Sequence, residues 1–226
     1  MNIESIVDLS HTIIPEREEY GCVLEVRNIE DVFPKYRRAP GAWYVIGKVW
    51  MNNHCGTHVE APFHHVKDGQ DISSLSLEQL VGPAVCVDVS DFGNNEEITR
   101  DEVVKRCADV RTGDAVIFDC GVAEHYGTKR GHDRPWFSPD AIRWLVEDRK
   151  VWSVGTDATG VEVRTATGGS TGQQPNHEYL LGNNVPLIES LTNLEEIRGQ
   201  RVTLLVLPVK LKGAEAFPAR VIAIKE

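Results

Sequence analysis

The sequence lacks any apolar run of the ~18 residues that a membrane-spanning helix requires. Its densest apolar stretch, residues 202–209, has the length of a strand. The first residues offer neither a basic start nor an apolar core of signal-peptide length, so we expect a cytoplasmic protein. A basic cluster is also missing, and the formal net charge is −10. This balance argues against nucleic acid and anionic membrane surfaces as partners.

Sequence motifs of three common catalytic or redox classes are missing as well. The five cysteines are scattered without a CxxC pair, so the sequence indicates neither a cysteine zinc knuckle nor a disulfide framework. No GxSxG motif is present to support a serine hydrolase. The Gly/Thr-rich residues 165–175 lack the Gly-Lys-Ser/Thr ending of a phosphate-binding loop. This stretch is either a surface connection or a mobile loop that covers a site.

The remaining composition is that of an ordinary globular chain, with 41% hydrophobic and 26% charged residues among 226. We expect one domain over residues 1–226. Apolar, β-type runs predict strands at residues 6–9, 43–51, 84–89, 115–119, 151–155, 202–207 and 220–224. Helix-start signals at Thr99 and at Ser138, together with a short helical segment at residues 176–181, place helices between them. The pattern predicts a mixed α/β domain whose sheet closes on itself.

One segment concentrates the residue types that bind metals. It carries four histidines and one glutamate, namely His54, His58, Glu60, His64 and His65. Imidazole and carboxylate groups are ligands for Zn²⁺, Mn²⁺ or Fe²⁺. A tight turn at Gly56 would let His54 and His58 point at one spot, and an extended chain puts His58 and Glu60 on one side. The alternative is a polar loop whose histidines face water.

Two neighbours of these candidate ligands invite other roles. His64 lies beyond Pro62, so it can approach the same pocket without binding metal, and its reference pKa of about 6.5 suits proton transfer. Cys55 could be proposed as a nucleophile, but its position between His54 and Gly56 favours a role in the turn.

A second signal lies downstream, where Glu189 closes an otherwise apolar run. A buried carboxylate there needs a cation, and a metal is one candidate; otherwise Glu189 sits in water before the next helical turn. His177 is a weaker candidate, because a lone histidine is more often structural. The expected setting of His125 and His132 is a solvated loop. His11 is expected to make a structural hydrogen bond or to lie at the rim of the site.

These residues match a known pattern. The chain resembles the cyclase family of metal-dependent hydrolases, which includes kynurenine formamidase and isatin hydrolase. The family signature His-x-Gly-Thr-His-x-Asp-x-Pro-x-His is present at residues 54–64, with Glu60 in place of aspartate. Further matches, in the family's order and over nearly the full length, are residues 8–13, 80–84, 154–157, the pair His177 and Glu189, and residues 207–208 with 218–220.

The resemblance implies a swivelling β/β/α fold and a homodimer or homotetramer. It implies a first metal held by His54, His58 and Glu60, and a second site completed by Glu60, His177 and Glu189. His64 would be the proton donor and acceptor. One or two divalent metals, zinc or manganese, would be bound per chain. Residues 13–20 lack the tryptophan that the formamidases use near the substrate, which argues against formylkynurenine itself.

The predicted activity is hydrolysis of a small amide, lactam or lactone by metal-activated water. The alternatives are a metal-dependent dehydratase or cyclase that stabilises an enolate, and a non-catalytic metal-binding protein. The longer side chain of Glu60 favours one tightly held metal with a second site weak or empty. Five protein ligands cannot saturate two metals without waters or bridging carboxylates.

Overall fold

The computed structural model describes residues 5–165 and 171–225. Residues 166–170 of the Gly/Thr-rich stretch lie outside these ranges, so its proposed role as a connection or a loop over the site stays a prediction. The described strands are β1 Ser5–Asp8, β2 Cys22–Asn28, β3 Val45–Met51, β4 His58–Glu60, β5 Val81–Asp88, β6 Glu97–Ile98, β7 Ala115–Asp119, β8 Trp136–Phe137, β9 Val154–Thr156, β10 Leu187–Glu189, β11 Arg201–Pro208 and β12 Ala216–Lys225. The helices are α1 Ile29–Val32, α2 Arg100–Arg106, α3 Pro139–Glu147 and α4 Pro175–Gly182.

The main sheet closes into a ring, as the sequence predicts. Its strand order is β1-β12-β11-β5-β7-β9-β10-β4, and β12 also pairs with β4. Seven strands therefore form a barrel-like sheet, with β1 attached to β12 outside the ring. The long strand β12 makes this closure possible, because residues 216–218 pair with β4 while residues 219–224 pair with β11. The mixed α/β class is confirmed.

Two hydrophobic clusters cover the two faces of this sheet. Along β7, Val116 and Phe118 belong to the cluster that also contains α2 and α3, whereas Ala115 and Ile117 belong to the other cluster. Alternate residues of a strand point to opposite faces, so β7 is buried on both sides. A continuous run of apolar residues is what such a strand requires, and the predicted strand 115–119 matches β7.

The helices begin where the sequence signals place them. The Thr99 hydroxyl accepts a hydrogen bond from the Glu102 amide at 3.4 Å, and the Ser138 hydroxyl accepts one from the Ala141 amide at 3.3 Å. Each cap satisfies an amide that has no partner inside the first turn of its helix. Within the described chain, no helix has both the length and the apolar character to cross a bilayer.

The hairpin of β2 and β3 extends away from the main sheet. Its register runs from Cys22 opposite Met51 to Asn28 opposite Val45, and most of its residues are exposed. The sequence analysis missed β2 and placed the start of β3 at residue 43. An exposed ribbon lacks the buried face that produces a clear alternating pattern, which explains both errors. The short strands β4 and β10 were also missed, and the strand predicted at 151–155 begins only at Val154.

Candidate metal centre

Strand pairing brings two distant parts of the chain together at the site. Strand β10 runs antiparallel to β4, so that Glu189 lies opposite His58. His58 and Glu60 share one face of β4, while Val59 and Ile188 point to the cluster on the other face of the sheet. All three polar side chains are buried. The alternatives of a solvent-facing loop for His58 and of a hydrated Glu189 are therefore wrong.

The turn before β4 brings the side chain of His54 next to that of His58. Gly56 has φ +65°, and a β-carbon on it would lie 2.7 Å from Cγ1 of Ile13. The left-handed conformation and this close approach together require glycine. As a result, Nδ1 of His54 lies 3.2 Å from Nε2 of His58. Cys55 is buried and its thiol donates to the Gly21 carbonyl oxygen, which fits a role in the turn.

A half-buried hydrogen-bond network supports this turn from the side away from the ligands, and sequence reasoning missed it. The Tyr126 hydroxyl accepts a hydrogen bond from the Gly56 amide at 2.7 Å and donates to Oε2 of Glu18 at 2.5 Å. His11 stacks on the Tyr126 ring, with ring centroids 4.3 Å apart. His11 lines a neighbouring cavity rather than the one above the candidate ligands. Tyr126 lies 70 positions from Gly56, so no local sequence signal could have joined them.

Two groups of three possible ligands share Glu60. The first contains His54, His58 and Glu60, the second Glu60, His177 and Glu189, and within each group the ligand atoms lie within 4.8 Å of one another. Oε1 of Glu60 is 3.2 Å from Nδ1 of His54, and its Oε2 is 3.6 Å from Nε2 of His177. The structure thus brings together the five residues that the sequence analysis named as ligands. Their role as ligands stays a prediction.

Two oxygen atoms test whether a cation fits here. Oε2 of Glu60 and Oε1 of Glu189 are buried, and neither has a hydrogen-bond partner among the described residues. Buried carboxylate oxygens without partners are costly, and several of them around imidazole nitrogens form a donor set suited to a divalent metal. The residues present therefore fit a metal ion.

Hydrogen bonds behind two of the imidazoles orient them for ligation. Nδ1 of His58 lies 3.0 Å from the Gly56 carbonyl oxygen, and Nδ1 of His177 lies 3.0 Å from Oε1 of Glu162. With Nδ1–H donating backwards, Nε2 of each ring presents its lone pair to the centre of the cluster. Sequence reasoning missed Glu162. A lone acidic residue between Val161 and Val163 was the available signal.

The charges of the cluster follow from its burial and its pairing. Burial lowers the pKa of His177, but its hydrogen bond to Glu162 and the nearby negative charges of Glu189 and Glu60 outweigh it and raise the pKa to about 10. Burial raises the pKa of Glu60, yet its histidine partners hold that pKa well below the usual range. In the absence of metal, protons on the histidines therefore balance the carboxylates, and a metal would replace those protons.

His64 lies beside the cluster and outside both ligand groups. It ends the short turn Pro62–His64, and its Nε2 is 3.6 Å from Oε1 of Glu60. Burial, reinforced by neighbouring histidines, lowers its pKa, and Glu60 opposes this only in part. A mostly neutral imidazole at the edge of the cluster can accept a proton near neutral pH.

A cavity of about 490 Å³ opens above the ligand groups. Its wall comprises Glu19, Tyr20, His54, Glu60, His64, His132, Arg134, Thr159, Gly160, Glu162, Val163, Arg164, Gln174, His177 and Glu189. The loop between His125 and His132 is exposed at residues 127–130, as expected. His132 itself is half-buried at the cavity wall, with its ring nitrogens 2.9 Å from Oγ1 of Thr159 and 2.8 Å from Oε2 of Glu19. His125 lies outside this cavity, half-buried beside Glu124.

Comparison with known proteins gives the context of this geometry. The family model described as "Putative cyclase" matches residues 7–163. The kynurenine formamidase of Salinibacter ruber is 32% identical over 226 residues, which cover 96% of both proteins. Cyclase-like protein 3 of Arabidopsis thaliana is 28% identical, covering 97% of this chain and 79% of that protein.

Solved structures share the fold. Isatin hydrolase A from Ralstonia solanacearum has a TM-score of 0.83 and 21% identity, covering 98% of this chain and 92% of that one. A structure described as a potential metal-dependent hydrolase with cyclase activity has a TM-score of 0.73 and 26% identity, covering 98% of both chains.

Proposed function

The chain belongs to the cyclase family, and from that premise we propose that it is a metal-dependent hydrolase of a small amide, lactam or lactone. The observation that carries the proposal is the pair of ligand groups sharing the buried Glu60 at the floor of an open cavity. The formamidase and isatin hydrolase relatives favour an amide C–N bond as the bond that is cleaved.

The metal requirement follows from the donor set. His54, His58, Glu60, His177 and Glu189 would hold a divalent ion, which we propose to be zinc or manganese. A bound divalent metal supplies hydroxide at neutral pH and polarises a carbonyl group. We further propose one tightly held metal with a second site weak or empty, since the two groups compete for the single carboxylate of Glu60.

The protein's own residues provide orientation and proton transfer. The bonds from Nδ1 of His58 and of His177 fix which nitrogen of each ring faces the cluster. His64 stands at the edge of the same cavity, where it can take a proton from the attacking water and return it to the leaving nitrogen. The amide C–N bond breaks, the acyl carbon gains the hydroxyl group and the nitrogen gains the proton.

Assembly is part of the same proposal. We propose a homodimer or homotetramer, with the exposed β2–β3 hairpin as part of an interface. Leu24, Val26 and Trp50 are large apolar side chains that lie exposed on this hairpin. A cytoplasmic location, a small-molecule substrate and the absence of nucleic acid or membrane partners complete the proposal, the last supported by the net charge of −10.

A single experiment tests the activity. The purified protein is analysed for metal content and then assayed on a panel of amides, lactams, lactones and hydroxy acids. We expect turnover of an amide or lactam, with loss of metal and activity in His58→Ala. Turnover of hydroxy acids alone would instead identify a dehydratase. Bound metal without any turnover would identify a binding protein.

A further inference from the structure

The cavity wall contains one buried cation whose charge the proposed chemistry does not use. Arg134 precedes β8 and is only 5% exposed. Its Nη1 donates to the carbonyl oxygens of Glu162 at 2.8 Å and of Pro135 at 3.1 Å. Its Nε is buried without a partner, and its guanidinium makes no ion pair with any described residue. The carboxylates of Glu189 and Glu162 attract this charge only from beyond ion-pair distance. Burying a charge without a counter-ion in contact is costly, so the position favours a bound anion.

The guanidinium faces the candidate metal ligands across a gap that glycine keeps open. A β-carbon on Gly160 would lie 2.8 Å from Nη2 of Arg134 and 3.6 Å from Oε1 of Glu189. Gly160 also has φ +131°, which side-chain-bearing residues rarely adopt. The absence of a side chain at this position therefore gives a ligand access to Nη2 beside the ligand cluster.

Charge balance within the protein is the competing explanation for Arg134. Glu162 is already engaged, because its Oε1 accepts hydrogen bonds from the amide and from Nδ1 of His177. Glu189 directs its two oxygens to Nε2 of His58 and of His177 at 3.7 and 3.4 Å. Both carboxylates thus have closer partners than the guanidinium, which leaves Nη2 available to an incoming group.

We propose that Arg134 determines specificity by binding a carboxylate carried by the substrate, so that the preferred substrate is an anionic amide with its carboxylate near the scissile bond. This inference rests on the proposed hydrolase function. The amide carbonyl would lie at the metal ligands while the carboxylate lies against Nη2 of Arg134, the guanidinium nitrogen beside the gap at Gly160. Hydrogen bonds between a guanidinium and a carboxylate are charge-assisted and directional, which suits arginine to this role.

Two aryl formamides that differ only in the carboxylate test the proposal on the metal-loaded protein. The probes are 2-formamidobenzoate and formanilide, and kcat/KM is measured for both. We expect the wild type to prefer 2-formamidobenzoate. Arg134→Gln is expected to reduce the ratio of the two kcat/KM values about 10- to 100-fold, the value of a charge-assisted hydrogen bond, by lowering kcat/KM for 2-formamidobenzoate much more than for formanilide. An unchanged preference in Arg134→Gln overturns the proposal.

A matched control separates recognition from the overall charge. Arg130→Gln removes the same charge at an exposed position four residues away and is expected to keep the wild-type preference. An equal loss in both variants overturns the specific role of Arg134. If Arg134→Gln does not fold, Arg134→Lys replaces it, because lysine keeps the charge but not the fork. A loss of preference of about tenfold is then expected, and full retention overturns the proposal.

Failure of the proposed function gives a different result. If the wild type hydrolyses neither these formamides nor any amide, lactam or lactone of the panel, the hydrolase assignment is contradicted, and isothermal titration with benzoate and benzamide decides on Arg134. The proposal requires Arg134→Gln to weaken benzoate binding by the same 10- to 100-fold without affecting benzamide. Equal benzoate binding by wild type and variant overturns it.

Discussion

Glu162 offers a sharp test of how the protein prepares its metal site. One oxygen, Oε1, accepts two hydrogen bonds from His177, at 2.8 Å from the amide and at 3.0 Å from Nδ1. Glu162→Ala removes both and frees the ring to turn or to change its tautomer. Glu162→Gln keeps an acceptor oxygen in the same place but removes the negative charge that makes the imidazole a better ligand.

The magnitudes follow from these contacts. Loss of a partner behind a ligating histidine costs roughly 10- to 100-fold in metal affinity, so we expect a decrease in that range for Glu162→Ala. The unsatisfied amide and ring nitrogen should also lower the free energy of unfolding by about 1–3 kcal/mol. Glu162→Gln should show smaller decreases in metal affinity and in the free energy of unfolding, because its amide oxygen can still accept the two hydrogen bonds.

Competition between the protein and a chelator of known affinity measures the metal affinity, and urea unfolding of the metal-free protein measures the stability. Glu178→Gln is the matched control, since it changes the same charge at an exposed position next to His177 on α4. Wild-type metal affinity in a folded Glu162→Ala would refute the reasoning that this carboxylate orients His177.

Other positions give further expected outcomes. His64→Ala should keep its metal but lose roughly 10²–10⁴ in kcat, and joint loss of metal and activity would make His64 a ligand instead. Glu60→Asp should bind more metal per subunit than wild type by elemental analysis; a wild-type protein with two tightly bound metals would contradict this. Tyr126→Phe should lower the free energy of unfolding by about 1–3 kcal/mol in urea, because the Gly56 amide loses its 2.7 Å acceptor. Phe118→Ala should lower the free energy of unfolding by about 3–5 kcal/mol in the same assay. The Phe118 ring is fully buried, and its centroid lies 4.5 Å from that of Phe137.

Local patterns in the sequence were enough to predict the helix starts and the strands that are buried on both faces. The caps at Thr99 and Ser138 depend on residues three positions apart, and β7 is a continuous apolar run. The exposed strand β2 escaped prediction, because a ribbon without a buried face carries no alternating pattern.

The ligand cluster also has one part that local sequence predicts and another part that only the fold brings into place. Residues 54–64 could be recognised as metal-binding from the sequence, because a glycine turn and an alternating strand bring His54, His58 and Glu60 together over a few residues. His177 and Glu189 were found by resemblance and by the cost of burying a carboxylate. Their position beside Glu60 depends on the pairing of β10 with β4, which joins chain segments more than a hundred residues apart.

The sequence by itself determined the fold class, the family and the chemical types of the proposed ligands. Only the tertiary structure decided which groups support them: Glu162 behind His177, Tyr126 behind Gly56, and Arg134 across the gap at Gly160. The physical reason is how far apart in the sequence the interacting residues lie. Turns, caps and strand alternation are set by neighbours within a few residues, whereas these contacts exist only after the sheet has closed and the helices have packed on it.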